Sequence, residues 1–316
     1  MTAILQNPIF QDETKARHWL ERRVWPKGPI CPHCGATDKD VTELDGDKHR
    51  PGLYQCNQCR EQFTVTVGTV FERSKLPLTK WLAALFLMTA SKKGVSAHQV
   101  HRMLGISYKS TWFMMHRLRE AMRTGGLEPL GGPGKVVEAD ETYFGKPDVP
   151  RVSPRRQKEG RAYKNKVRNS RPIIALVERG GSVRSFHAPV ADADTVVGIV
   201  TKNIAKESRL HTDESKLYTF IGSQMAAHET VNHSAKEYVR GDVTTNTVEN
   251  YFSVFKRGMR GVYQHCSEKH LHRYLAEFDF RYNNRAKLGV DDAKRAETLA
   301  AGIVGKRLTY RRPHQA

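Results

Sequence analysis

Apolar residues along this chain keep two different rhythms, and the rhythm changes near residue 130. Before that point they recur mostly at helical spacing. In 11–24, QDETKARHWLERRV, Trp19, Leu20 and Val24 share one side and Lys15, Arg22 and Arg23 lie off it, which predicts a short amphipathic helix. Trp25-Pro26-Lys27-Gly28 stops it. Segments 42–44, 52–55 and 62–65 have the character of small strands. From 74 to 124 the pattern is helical. Residues 78–90 (LTKWLAALFLMTA) carry a dense apolar face, 96–104 (SAHQVHRML) open on a Ser N-cap, Gly105-Ile106-Ser107 turns the chain, and 108–122 form a longer helix.

A Gly-rich stretch at 125–134, GGLEPLGGPG, marks a boundary. Beyond it the pattern is of strands interleaved with helices. Residues 135–144 (KVVEADETYF) read as a strand with Asp140 near its middle; Glu138 shares that face and Glu141 points the other way. Segments 172–178 and 183–189 form a hairpin through Arg179-Gly180-Gly181-Ser182. A helix over 195–206, capped by Asp192 or Asp194, precedes short strands at 209–214 and 228–233. Helices then cover 245–258 (TNTVENYFSVFKRG), 268–283 and 291–302. Strand, strand, strand, helix, strand, strand, helix is the order of an RNase H-like α/β core, a mixed sheet flanked by helices.

The cysteines add a second kind of order. Cys31-Pro-His-Cys34 and Cys56-Asn-Gln-Cys59 stand 21 residues apart, and two such turns closing on one tetrahedral ion make a zinc ribbon. A redox dithiol would explain one pair but not two. Four thiolates fill the shell, so His33 stays outside it. The fifth cysteine, Cys266, reads as an unreactive thiol.

Charge then narrows the partners. Lys and Arg total 52 against 33 Asp and Glu, a formal +19, so the partner is polyanionic: nucleic acid first, an anionic membrane second. An apolar content of 39% excludes a disordered polycation. No apolar run approaches the roughly 20 residues of a membrane span, and no export signal is visible, which predicts a cytoplasmic, nucleoid-associated protein. The helix-turn-helix pattern would set Tyr108, Lys109, Ser110 and Thr111 nearest the bases, with His116 and Arg117 nearer phosphates; a plain helical linker domain is the competing reading. Residues 151–171 hold nine Lys/Arg and one acid. Arg155, Arg156, Arg161, Lys164, Lys166 and Arg168 in that loop are expected to clamp a DNA backbone, with Arg257 on the later helix as a further contact.

Phosphoryl transfer on DNA calls for hard oxygen ligands around two divalent ions, Mg²⁺ or Mn²⁺. Asp140 on its strand would bridge them, with Asp213 at the end of a neighbouring strand and Glu249 on the following helix each holding one. Lys256, two helical turns after Glu249, would steady a phosphate, and Asn246, one turn before it, would orient a water or ligand. Asp242, Asp192, Asp194 and Glu214 lie close enough in sequence to compete. The expected domains are 1–73 (N-terminal helix and ribbon), 74–128 (helix-turn-helix-like), 129–285 (catalytic core with the basic loop) and 286–316 (last helix and basic tail).

The motifs VVEADETYFGK, HTDESKLY, TNTVENYFSVFKRGMRGVY and HLHRYLAEFDFRYNNR, behind CPHCG, CNQCREQF and TVFERSKLPLTKW, resemble the DDE transposases of bacterial insertion sequences that carry an N-terminal zinc ribbon. The resemblance spans nearly the whole chain. It implies Mg²⁺-dependent cleavage at transposon ends and joining of the freed 3′-OH to target DNA. It also implies Asp140, Asp213 and Glu249 as the catalytic acids, Lys256 as their helper, and at least a dimer when two ends are synapsed. The alternatives are a zinc-ribbon DNA-binding protein with an inactive core, or an RNase H-like nuclease that cuts without joining.

Overall fold

A computed structural model describes residues 6–148 and 170–309. The chain divides into two compact units, one formed by the segment up to Thr124 together with that from Ala286 onward, the other by Gly125–Arg285. Among the described residues no helix is long and apolar enough to cross a membrane.

In the first unit, helix α1 (Glu13–Val24) leads into a three-stranded antiparallel sheet of β1 (Val41–Glu43), β2 (Tyr54–Cys56) and β3 (Gln62–Phe63). Helices α2 (Leu78–Ala90), α3 (Ala97–Leu104) and α4 (Tyr108–Met122) follow. Pro77 offers α2 no side-chain cap; Glu13 of α1 supplies one instead, accepting from Leu78 N at 2.7 Å and Thr79 N at 3.1 Å. Gly105 ends α3 in the left-handed region (φ 63°), and the Ser107 hydroxyl caps α4 through Ser110 N. The turn between the two helices therefore forms as its sequence predicts.

The second unit is built on a five-stranded sheet in the order β6-β5-β4-β7-β8: β4 (Val136–Phe144), β5 (Arg171–Glu178), β6 (Val183–His187), β7 (Arg209–Thr212) and β8 (Ala227–Thr230). The first three strands are antiparallel, and β4, β7 and β8 run parallel. This is the RNase H-like arrangement, with β4 in the middle. Helix α5 (Ala193–Asn203), capped by Asp192 through Thr195 N at 2.9 Å, covers one face. A two-residue ladder of β9 (Val239–Arg240) and β10 (Val243–Thr244), unforeseen in the sequence, leads into α6 (Asn246–Gly258). Helix α7 (Glu268–Asn283) joins α6 on the other face, and α8 (Asp292–Ala301) belongs to the first unit.

The strict alternation of β5 explains the layers. Ile173, Ala175 and Val177 meet Val248, Tyr251, Phe252 and Phe255 of α6 and Leu271 and Phe278 of α7. Ile174 and Leu176 face Val196 and Val200 of α5. The same alternation in β4 sends Val137 and Ala139 toward α5, which leaves Glu138 and Asp140 on the α6 side. Asp279 of α7 accepts from the Tyr251 hydroxyl at 2.6 Å and from Ser185 Oγ at 2.7 Å, tying α7 to α6 and β6.

The segment from 286 was expected to stand apart. Ala296, Leu299, Ala300 and Ile303 are instead fully buried, α8 packs on α1 and α2, and Arg23 of α1 pairs with Glu297 at 2.6 Å. Short apolar helices need a partner to bury that stripe.

Candidate active site

Asp140 lies at the middle of β4, opposite Ala175 of β5, and its Oδ1 accepts from the Glu141 amide at 2.8 Å. Asp213 is the first residue past β7, which ends at Thr212, short of the 209–214 that the sequence suggested; its Oδ1 accepts from Ser215 N at 3.0 Å. Glu249 stands in the first turn of α6 and accepts from Thr245 Oγ1 at 2.7 Å. Burial pushes the Asp140 carboxyl up to about 8, with the charges of Glu141, Asp213 and Glu249 adding to the effect. Burial also raises Asp213 and Glu141, and the Glu141–Asp213 repulsion adds to the second. Carboxylates that hold protons this tightly have surroundings that welcome positive charge.

Asp140, Thr142 and Glu249 line an open groove of about 700 Å³ with Phe252, Ser253, Lys256, Arg257, Arg260 and Gly261. Glu249, Ser253, Lys256 and Arg260 follow one another at helical spacing, so α6 presents one acid and then a hydroxyl and two cations along a single stripe. Burial, and then Arg260, pulls the Lys256 ammonium down, while Asp140 opposes that shift. Arg260 belongs to a π-helical turn, Met259–Tyr263, that prolongs α6. Asn246, by contrast, is exposed at the start of α6 and does not line the groove.

Glu138 settles into a part the sequence left open. It is fully buried. One carboxylate oxygen accepts from Thr247 N at 2.7 Å and Val248 N at 3.1 Å; the other accepts from Thr247 Oγ1 at 2.8 Å and from Arg179 Nη2 at 2.8 Å. Helix α6 has no side-chain cap of its own, because the Thr245 hydroxyl is spent on Glu249. A strand residue two places from Asp140 thus caps the helix that bears Glu249, and fixes the two carboxylates relative to each other.

The ribbon cysteines converge as expected. Cys31 and Cys59 Sγ are 3.7 Å apart, Cys34 and Cys56 3.5 Å, and all four sulfurs lie within 4.8 Å of one another. A tetrahedral zinc with bonds near 2.3 Å would separate its sulfurs by about 3.8 Å, so the donor set fits that ion. Each knuckle closes through an amide after its second cysteine: Gly35 N to Cys31 O and Arg60 N to Cys56 O, both at 2.9 Å. Both residues have positive φ, 80° at Gly35 and 63° at Arg60. Glycine takes that conformation freely and arginine does not.

Several expected DNA contacts are turned inward. Thr111 is fully buried and donates to Ser107 O at 2.9 Å. Arg117 is buried, donates to Glu72 O at 2.6 Å and lies over the Trp81 ring. His116 is buried against Trp112. Helix α4 packs over most of its surface, so its polar residues one turn further on meet protein rather than solvent. Tyr108 and Lys109 are exposed, Tyr108 stacking on His98 at 4.2 Å, and Ser110 is half-buried beside the cap. Tyr263 donates to Glu277 at 2.5 Å inside the unit. Arg257 lines the groove. Arg155, Arg156, Arg161, Lys164, Lys166 and Arg168 fall outside the described residues.

Residues 129–283 match the ISXO2-like transposase domain, and residues 11–62 match the transposase zinc-ribbon domain. A protein of Halobacterium salinarum, described as an uncharacterized protein in transposable element ISH50, is 29% identical over 294 residues, 90% of this chain and 96% of that one. Among solved structures, the Mos1 strand transfer complex is 12% identical over 72% of this chain and 76% of its own, with a TM-score of 0.27. The simian T-cell lymphotropic virus intasome, in complex with PP2A regulatory subunit B56 gamma, is 12% identical over 57% of this chain and 63% of its own, with a TM-score of 0.28.

Proposed function

Because this chain belongs to the ISXO2-like transposases and carries their zinc ribbon ahead of the catalytic domain, we propose that it cuts DNA at the ends of its element and joins the freed 3′-OH to target DNA. Asp140, Asp213 and Glu249 would hold Mg²⁺ or Mn²⁺, and Cys31, Cys34, Cys56 and Cys59 would hold zinc. The observation that carries the reading is the shared groove: Asp140 and Glu249 line it together with Lys256, Arg257 and Arg260. Acids alone would repel a DNA backbone, and cations alone would bind it without chemistry.

In the first step a water oxygen bonds to the phosphorus at the element end and the P–O3′ bond breaks, leaving a 3′-OH. In the second that 3′ oxygen bonds to a target phosphorus, and the target P–O3′ bond breaks. Bound divalent ions supply activation of the attacking oxygen and stabilisation of the leaving one. Lys256, Arg257 and Arg260 hold the phosphate against the acids, and the Glu138 cap keeps Glu249 in register with Asp140. Synapsis of two ends calls for a dimer or larger assembly, acting on DNA in the cytoplasm.

The test is an incubation of the protein with a duplex containing the element end, Mg²⁺ and a target plasmid. Joined products are expected with the wild type, and none with Asp140→Ala, Asp213→Ala or Glu249→Ala, while each variant still shifts the end duplex on a gel. Cleavage without joining would identify a nuclease, and full activity in one variant would remove that residue from the site.

A further inference from the structure

Between β8 and β9 the chain holds a tyrosine in water. Tyr238 is 55% exposed, and Val239 beside it 53%. Scattered apolar residues are ordinary on a protein surface, so exposure alone assigns nothing. The neighbours of this ring single it out. It leans on the imidazole of His233, with centroids 5.2 Å apart and planes at 47°. His233 Nε2 in turn lies 3.6 Å from Glu249 Oε1, an ion-pair distance. One imidazole therefore separates the exposed ring from a carboxylate of the groove.

The backbone on both sides of the ring is fixed. His233 lies in a 3₁₀ turn, His233–Ala235, rather than in the strand that the sequence suggested. Glu214, the neighbour of Asp213, accepts from His233 N at 2.8 Å, Ser234 N at 3.1 Å and Ser234 Oγ at 2.6 Å. The Asn232 side chain accepts from Ala235 N at 2.9 Å, and Glu237 N donates to Asn232 O at 2.9 Å. On the far side Val239 pairs with Thr244 in the β9–β10 ladder, and Arg179 donates to the carbonyls of Asp242 and Thr244. A segment tied at both ends keeps the ring outside, against the hydrophobic effect. Lys236 and Arg240, two places to either side, are exposed as well. The acids of the segment are engaged, Glu237 with Asn232 N at 3.2 Å and Asp242 with Arg209 at 2.7 Å. A polyanion entering the groove thus meets an apolar ring flanked by cations.

We infer that Tyr238 stacks on a base of the bound DNA that has left the duplex beside the phosphate in the groove. This rests on the reading of the groove as the site that cuts and joins DNA. A tyrosine ring has no charge to offer a phosphate, and a paired base keeps its faces against its neighbours. An unpaired base has a face free for an aromatic ring. Lys236 and Arg240 hold the flanking phosphates.

The test uses the full-length, zinc-loaded protein with Mg²⁺ and element-end duplexes that carry 5-iododeoxyuridine next to the cleaved phosphate on either strand. Under long-wave ultraviolet light this base couples to an aromatic ring stacked on it. A crosslink mapped to Tyr238 by mass spectrometry is expected in the wild type. It should be lost in Tyr238→Ala and kept in Tyr238→Trp, which retains a stacking face. Tyr238→Ala should melt like the wild type, because the ring is exposed, and should cut the duplex about 5- to 150-fold more slowly, the loss of one stacked base. A wild type that cuts without a crosslink to Tyr238, or Tyr238→Ala cutting at the wild-type rate, overturns the inference and leaves the transposase reading standing. A wild type that neither cuts nor joins overturns both.

Discussion

In the ribbon, facing sulfurs are already 3.5 and 3.7 Å apart, whereas the charges of Asp213 and Glu249 act on Asp140 and, among the described residues, these acids are not part of any group of three donors within 4.8 Å. The two metal sites proposed above would account for the contrast. A structural site must complete its shell from protein alone, so folding delivers all four ligands. A site that works on DNA has to leave coordination positions to water and phosphate, so the protein supplies a few carboxylates and holds them by other means. Here those means are Glu138 and Arg179, which fix backbones and leave the carboxylates some freedom.

The widest separation between the two sites should appear on removing one ligand from each. Cys31→Ser is expected to lose about one zinc per chain and to unfold the ribbon, since structural zinc contributes on the order of 10 kcal/mol. Asp140→Asn should keep its zinc and its melting temperature while losing all strand transfer. Metal analysis and calorimetry on the two variants check this. A Cys31→Ser protein that melts like the wild type would dissolve the contrast.

Glu138→Ala comes next. It leaves the Thr247 and Val248 amides without their acceptor and takes one of several partners from Arg179, and is expected to cost about 3 kcal/mol, read from urea unfolding. Glu138→Gln keeps one acceptor and should fold better, yet still lose activity through a displaced Glu249. If Glu138→Gln is as active as the wild type, the cap does not position the site.

A third carboxylate serves as the control with hydrogen bonds and no cation. Burial raises Asp279 to about 7, against the bonds from Tyr251 and Ser185. A folded value above the unfolded one means stability that is complete below about pH 4 and is lost as pH rises through about 7. The second unit should therefore weaken between about pH 4 and pH 7, by at most about 4 kcal/mol. Asp279→Asn should flatten that dependence; an unchanged slope would point to another group. The smallest effect is expected at Arg60→Gly. Relief of a left-handed arginine is worth about 1–2 kcal/mol, less what glycine costs in the unfolded chain, leaving under about 1 kcal/mol of gain in the ribbon.

What the sequence disclosed follows from how local the signals are. The Cys-x-x-Cys turns carry their geometry within four residues, and the alternation in β4 and β5 carries the choice of face, so the ribbon, the succession of strands and helices and the two elements bearing Asp140 and Glu249 could be read directly. Glu138 could not, because its partners Thr247 and Val248 lie more than a hundred residues away and only the packed sheet brings them together. Thr111 and Arg117 misled for a related reason. They sit at positions that a helix-turn-helix exposes, but α4 is covered by its own unit, and a pattern of polar residues cannot show what will cover them. His233 was read as part of a strand, and the turn that turns it toward Glu249 depends on Glu214 catching the backbone.

The placement of α8 bears on the order in which the chain acquires its structure during synthesis. The unit spanning Gly125–Arg285 is continuous and can fold as soon as it leaves the ribosome. The unit holding the ribbon and α2–α4 is completed later, because α8 is made only after the whole of the second unit. Until then the faces of α1 and α2 that bury Ala296, Leu299 and Ala300 remain open to water. A nascent chain stopped after Arg285 is expected to carry a protease-resistant catalytic unit behind a front unit that is digested readily. Competence to engage DNA would then arrive last, once the whole polypeptide has been made.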